Sequence, residues 1–352
     1  MAKDIERITL KAGANIHQGV KKFAATMSLE RIAGSFDLDL SNTWTVGGKL
    51  VTRPVHPLQP CVLAIGGETV ITGHVDDAAP GYRKGEKGVK IKGRDLTARL
   101  VDCSLEKREF NGQTLLSIAQ ALCSDFGIPV RLHNWDGGKP LPRYSVDPGE
   151  TYAKAIEDAC RQMGVMMWTD GLGTLLIGRP GGGAYVGTLE LGKNIIEAEA
   201  TDSVADRFST YTVLTNKTGD STWAEAGQPA KGMATDSEIT LFRPKVEVAE
   251  TQAEGAASID ERANIRMQVA RARGKKTIAT VQGWYAPSGA LWRPGQSLDI
   301  KDRELGRHGR LVVADLSLSA GTGEPTIAKL LLLPESAFKV AAEGISAKGG
   351  AW

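Results

Sequence analysis

Over residues 1 to about 106, apolar and polar side chains alternate in short runs broken by Gly, Pro and Asn, the period-two pattern of an antiparallel barrel or sandwich. Phe36, Leu38 and Leu40 alternate with Asp37 and Asp39, so this strand buries one side and wets the other. Alternation accounts for the two carboxylates as solvated outward positions, without an acid–base role.

The strand pattern is written twice. Near the start, Pro60, Val62, Ala64 and Ile65 lead through Gly66-Gly67 into Val70-Ile71-Thr72-Gly73-His74-Val75, then Gly88-Val89-Lys90-Ile91-Lys92-Gly93. Near the end, Pro294-Gly295, Ser297, Leu298 and Ile300 lead through a polar turn into the run from Leu311 to Leu318, then Ile327-Ala328-Lys329-Leu330. Two related barrels in one subunit let a threefold oligomer present six similar faces, the geometry of an adaptor and not of a catalyst.

From about 107 to 180 the period lengthens to roughly 3.6. Leu115, Ala119, Leu122 and Phe126 share a helical face that starts after Asn111 and stops at Gly127, with Pro129 beyond. A second helix follows Asp147-Pro148-Gly149, with Ala155, Ile156, Ala159, Cys160 and Met163 inward and Gly164 as its C-terminal cap. Val165 to Trp168 and Thr174 to Ile177 then flank Asp170-Gly171-Leu172-Gly173, a hairpin signal. Strands resume at Tyr185 to Leu191 and Arg207 to Leu214. Asn216 to Asp236 reads as a loop, either solvent-exposed slack or a contact arm that orders on assembly. A long helix is expected at 250–273, with Ala256, Ile259, Ala263, Met267 and Ala270 as its apolar stripe and Arg266, Arg271, Arg273, Lys275 and Lys276 complementing its C-terminal dipole. The predicted fold is mainly β with an α/β insertion. Its parts are a first β-barrel domain at 1–106, a small helix–helix–hairpin module at 107–180, a second β-barrel domain at 181–340 and a flexible tail at 341–352.

Composition narrows the function classes. The 352 residues are 41% hydrophobic, as in chains that bury real cores, and 43 basic against 41 acidic residues leave a formal charge of +2. No global field therefore draws the chain toward nucleic acid or anionic membrane. The N-terminal stretch lacks a signal-peptide core, and no apolar run reaches membrane-spanning length, so no membrane insertion is expected. Cys61, Cys103, Cys123 and Cys160 lie far apart without a Cys-x-x-Cys pair and read as small hydrophobes.

Candidate chemistry is sparse. Gly187 to Asn194 has the Gly and Lys spacing of a phosphate-binding loop, but Asn194 stands where a magnesium-holding hydroxyl belongs. His17, His56, His74, His133 and His308 show no metal-ligand spacing. Neither a Gly-x-Ser-x-Gly elbow nor a dinucleotide fingerprint occurs. No cofactor, metal or catalytic residue is expected. A pair of glycosidase carboxylates leaves no sequence signature, which keeps a peptidoglycan hydrolase as the rival reading.

The order of segments resembles the baseplate hub proteins of Mu-like contractile-tailed phages, within the wider tail hub and late-control group. The resemblance is carried by Gly67 to Gly73 followed by Asp76; Lys92-Gly93-Arg94-Asp95-Leu96-Thr97-Ala98; Leu100-Val101-Asp102-Cys103; and Asn111 with Thr114 to Ala119. Later come Asp206-Arg207-Phe208-Ser209, Ala234 to Ser237, Arg243-Pro244, and Gly283-Trp284 with Gly289 to Trp292. Residues 216–233 and those after Phe338 depart from the pattern. The resemblance implies a homotrimer whose two barrels per subunit form a pseudo-sixfold ring joining the tail tube protein to the central spike protein. It also implies contacts with other baseplate proteins, DNA passing through the ring without specific binding, and a place in the virion tail after assembly in the host cytoplasm. A hub of a related contractile secretion or bacteriocin apparatus shares this architecture.

Trp44, Trp284 and Trp292 stand beside turns or strand ends as candidate assembly anchors, with intramolecular core as the favoured reading. Arg94 is a further candidate, equally suited to capping a barrel end by pairing with a carboxylate.

Overall fold

The computed structural model describes residues 7–41, 44–46, 49–51, 55–83, 86–215, 230–249 and 257–343. The first set of strands is β1 (Ile8–Ala12), β2 (Asn15–His17), β3 (Val20–Ser28), β4 (Ser35–Ser41), β5 (Trp44–Val46), β6 (Lys49–Val51), β7 (Pro60–Ile65), β8 (Glu68–Arg83) and β9 (Glu86–Asp95). Gly66 and Gly67, at φ +60° and +88°, make the tight turn from β7 to β8. Positive φ at both central turn positions is what a two-residue hairpin demands, and glycine meets it without strain.

A module follows, built from α1 (Ala98–Asp102), β10 (Arg108–Gln113), α2 (Leu115–Ser124), β11 (Val130–His133), β12 (Leu141–Val146), α3 (Tyr152–Met163), β13 (Met166–Thr169) and β14 (Leu175–Gly178). The side chain of Thr114 caps α2 by accepting from the Ser117 N–H at 3.2 Å, and Thr151 caps α3 in the same way. Asn111, expected just before the helix, lies instead in β10. Gly164 ends α3 in the left-handed region, at φ +66°. The inward stripes of both helices, with Leu100, Leu105, Tyr144 and Ile177, form the module's own core.

The last third holds β15 (Tyr185–Glu190), β16 (Ile195–Asp202), β17 (Thr210–Thr215), β18 (Ala230–Thr235), β19 (Pro244–Ala249), α4 (Ile259–Arg273), β20 (Lys275–Gln282), β21 (Ser297–Asp302), β22 (Arg307–Gly321) and β23 (Ile327–Leu333). Two expectations need correction here. The helix expected from 250 begins at Ile259, because the Ser258 side chain accepts from the Glu261 N–H and caps it there; residues 250–256 lie outside the described residues. Of the loop expected at 216–236, residues 216–229 lie outside the described residues, and 230–235 form β18, hydrogen-bonded to β17. The strands β18-β17-β19 form a separate three-stranded sheet, and Tyr211, Val213, Ala234 and Ala263 make a small core between it and α4. No helix among the described residues is long and apolar enough to cross a membrane.

Thirteen strands from both ends of the chain share one sheet, in the order β16-β20-β23-β22-β3-β4-β9-β8-β7-β1-β2, with β21 on β22 and β15 on β21. The protein is mainly β, as its sequence predicts, but the two strand sets are joined edge to edge. Among the described residues, no ladder closes either set on itself as a barrel.

Candidate assembly interface

The repeat seen in the sequence extends to the whole ladder. Set one runs β3-β4-β9-β8-β7-β1 and set two β16-β20-β23-β22-β21-β15, which is the same order when the strands of each set are ranked along the chain. Two bulges recur at matching places. One lies between Val20 and Lys22 on β3 and between Ile195 and Glu197 on β16; the other lies between Val75 and Asp77 on β8 and between Val313 and Asp315 on β22. Bulges are local, register-fixing features, so two shared bulges mark the sets as copies of one unit. One pairing differs: β1 is antiparallel to β7, whereas β15 is parallel to β21.

The registers give residue-level equivalence. Phe23, Leu38, Ile91 and Ala78 are ladder partners across set one, and Ala198, Ala279, Leu330 and Leu316 are their counterparts across set two. Ala198 is therefore the counterpart of Phe23. Four residues further along β8 and β22, Tyr82 is the counterpart of Ala320.

The sets meet where β3 pairs antiparallel with the second half of β22, from Asp315↔Ser28 to Gly321↔Lys22. Backbone bonds continue beyond both ends of this ladder: the Leu29 N–H donates to the Ala314 carbonyl at 2.8 Å and the Thr322 N–H to the Lys21 carbonyl at 2.9 Å. Phe23, Ala25, Leu316, Leu318 and Ala320 from the two strands are buried in one core cluster. The joint is thus a packed core seam with a full ladder.

The counterparts of these two edges have no partner strand among the described residues. On β16, which ends the sheet, no residue is buried, whereas β3 buries Val20, Phe23, Ala25, Met27 and Ser28. On β8 the stretch from Asp77 to Tyr82 buries nothing, whereas its counterpart on β22 buries Leu316, Leu318 and Ala320. Tyr82 is 86% exposed and Ile196 57%. Each copy therefore presents one open edge that matches a paired edge of the other copy. Pro80 stands on the open β8 edge, and a proline there blunts indiscriminate strand pairing because it has no N–H to give.

Of the residues expected as assembly anchors, Trp284 and Trp292 are buried in the shared core. The Trp284 indole N–H donates to the Ser319 carbonyl at 3.1 Å, and its ring meets Phe23 edge-on. Trp44 opens β5, and its side chain lies outside the described residues. Arg94 pairs with two carboxylates, Asp76 at 2.7 Å and Asp102 at 2.6 Å, tying β8 and β9 to α1. Hydrogen bonding from Arg94 holds Asp102 below the ordinary carboxylate range. Sequence reasoning did not single out the second ion cluster, in which buried Arg207 pairs with Asp236 at 2.6 Å and Glu238 at 2.7 Å, and Arg271 of α4 joins them.

The stretch from Gly187 to Asn194 is strand and turn: the Asn194 side chain accepts from the Glu190 N–H and donates to the Thr188 carbonyl, which clamps the turn. Among the described residues, no group of three or more His, Cys, Asp and Glu is arranged to hold a metal.

Comparison with known proteins places the chain among phage tail components. Residues 7–95 match the family model described as Mu phage baseplate assembly protein GpP-like, N-terminal, and residues 97–179 match baseplate hub protein gp44-like, second domain. Baseplate hub protein gp44 of Escherichia phage Mu is 29% identical over 348 residues, covering 96% of this chain and 90% of that protein. The 43 kDa tail protein of prophage MuSo2 from Shewanella oneidensis is 32% identical, with a TM-score of 0.81 over 96% of this chain and 99% of its own. The tail protein from Neisseria meningitidis MC58 shares the fold at 24% identity, with a TM-score of 0.79 over 94% of this chain and 97% of its own.

Proposed function

Because the chain belongs to the family of Mu-like phage baseplate hub proteins, we propose that it works as a homotrimer whose six strand sets form a pseudo-sixfold ring between tail tube and central spike. As a baseplate hub it is a structural part of the virion tail, in contact with other baseplate and tail proteins, and not an enzyme. The trimer, the ring and the joining role are the proposed part.

The observation that carries this reading is the edge-to-edge joint between two copies of one unit inside a single chain, with a matching edge left open on each copy among the described residues. Such a joint is heterologous, because the two surfaces in contact differ. Repeated head to tail, a heterologous joint makes a ring when its rotation closes. Three chains then supply six units, which suits a threefold spike on one side and a sixfold tube on the other. A ring also removes open strand edges, which otherwise invite uncontrolled pairing.

Sedimentation velocity at micromolar concentration tests the reading. A species of three times the chain mass is expected, and a stable monomer across the concentration range would overturn it.

A further inference from the structure

We infer that the inter-subunit joint is an antiparallel ladder between β16 of one subunit and the segment from Asp77 to Tyr82 of β8 in the next, in the register that the β3–β22 joint writes inside the chain. This inference rests on the trimeric ring proposed above and specifies which strands meet and which residues face each other. Translating the internal register through the ladder equivalences puts Ala78 opposite Asp202, Ala79 opposite Thr201, Pro80 opposite Ala200, Gly81 opposite Glu199 and Tyr82 opposite Ala198.

Three observations support the pairing. First, both edges are open among the described residues, and both are poor in burial relative to their paired counterparts. Second, the shared bulges give β16 and β8 the local geometry of β3 and β22 at the same distance from the joint, so the same register is available to them. Third, the side-chain volumes exchange sides. Inside the chain a large residue of β3, Phe23, faces a small residue of β22, Ala320. In the inferred joint the β3 counterpart is small, Ala198, and the β22 counterpart is large, Tyr82. One aromatic ring fills the position in each case. An exposed tyrosine opposite an alanine on an open edge is the arrangement expected if the partner strand comes from outside. Pro80 removes one N–H from this ladder and leaves its other donors and acceptors in place.

Cysteine pairs read the register directly. Residues directly opposite in an antiparallel ladder have Cα atoms about 4.5 to 5.5 Å apart, within disulfide reach. Ala79 and Thr201 are both exposed. Three of the four native thiols compete little, since burial pushes Cys61 and Cys123 up to about 12 and Cys160 higher still, leaving them protonated; the fourth, Cys103, is half-buried, and the single variants control for it.

Mild oxidation of the full chain carrying Ala79→Cys and Thr201→Cys is expected to yield covalent dimers and trimers on a denaturing gel. The single variants and the displaced pair Ala79→Cys with Glu197→Cys should remain uncross-linked. A trimer by sedimentation in which Ala79→Cys/Thr201→Cys stays uncross-linked, or in which the displaced pair links instead, would overturn the register while leaving the hub reading standing. A monomer by sedimentation would overturn both.

Discussion

Phe23 lies directly opposite Ala320 across the β3–β22 ladder, and its ring fills the space beside the alanine while meeting Trp284 edge-on at 5.4 Å. The first and last thirds of the chain are therefore welded by core packing as well as by backbone bonds. Phe23→Ala should destabilise the chain by about 3 to 5 kcal/mol, the usual loss for a buried phenylalanine. Urea unfolding would show it as a lower midpoint, and a loss below about 1 kcal/mol would mean that the seam is not a core.

Tyr82 occupies the position of Ala320 in the other copy but is exposed in the single chain. Tyr82→Ala should leave the unfolding of the isolated chain within about 0.5 kcal/mol, as surface substitutions do. It should weaken trimer formation by roughly tenfold or more, a loss of about 1.4 kcal/mol or greater. Adding Ala198→Phe, which recreates the Phe23–Ala320 arrangement, should recover much of that loss. Sedimentation equilibrium of the three proteins checks both; equal association constants for the native chain and Tyr82→Ala would refute the role of the ring.

Gly73 of β8 lies opposite Asp95 at the end of β9. A Cβ there would lie 1.8 Å from the Arg94 carbonyl oxygen, far inside contact distance. Because a Cβ is fixed in place by its own backbone and the Arg94 carbonyl is itself backbone, neither can turn away. Gly73→Ala should therefore cost more than about 3 kcal/mol or abolish soluble expression. A variant with native thermal stability would show that this approach is looser than the geometry indicates.

Arg94 sets an acid-dependent contribution. Its hydrogen bonds lower the pKa of Asp102, so the stability it lends is present above the unfolded carboxylate value of about 4 and is lost as pH falls through the lower folded value. Partial exposure of the pair keeps this contribution small. Asp95 acts in the opposite sense, because burial pushes its pKa up; it is present in both proteins, and its share largely cancels in a comparison. Arg94→Ala should thus melt below the native chain at about pH 7, and the gap should narrow below about pH 4. Thermal melts across that range test it, and a gap independent of pH would contradict the carboxylate pairing.

Much of this architecture is legible in the residues. Phe36, Leu38 and Leu40 are all buried as their alternation predicts, and the α3 stripe of Ala155, Ile156, Ala159 and Cys160 points inward. The repeated segments named from sequence coincide with β7, β8 and β9 and with β21, β22 and β23. The counterparts of β3 and β4 escaped notice for physical reasons. In the second copy the small sheet and α4 separate β16 from β20, whereas β3 and β4 are nearly contiguous, so the spacing that reveals a repeat is lost. In addition, β16 alternates Glu197, Ala198, Glu199 and Ala200, and alanines that stay half exposed give little hydrophobic signal. Trp284 and Trp292 stood out by size, yet size alone does not distinguish a core tryptophan from one at an interface, and both fill the chain's own core.

Electron micrographs of the purified protein, aligned and averaged without imposed symmetry, address the ring most directly. Face-on averages should show six similar lobes around a central opening, alternating in pairs with threefold symmetry. Averages of single particles with two lobes, or of closed assemblies lacking a threefold axis, would contradict the proposal that one duplicated unit, joined head to tail, builds the hub.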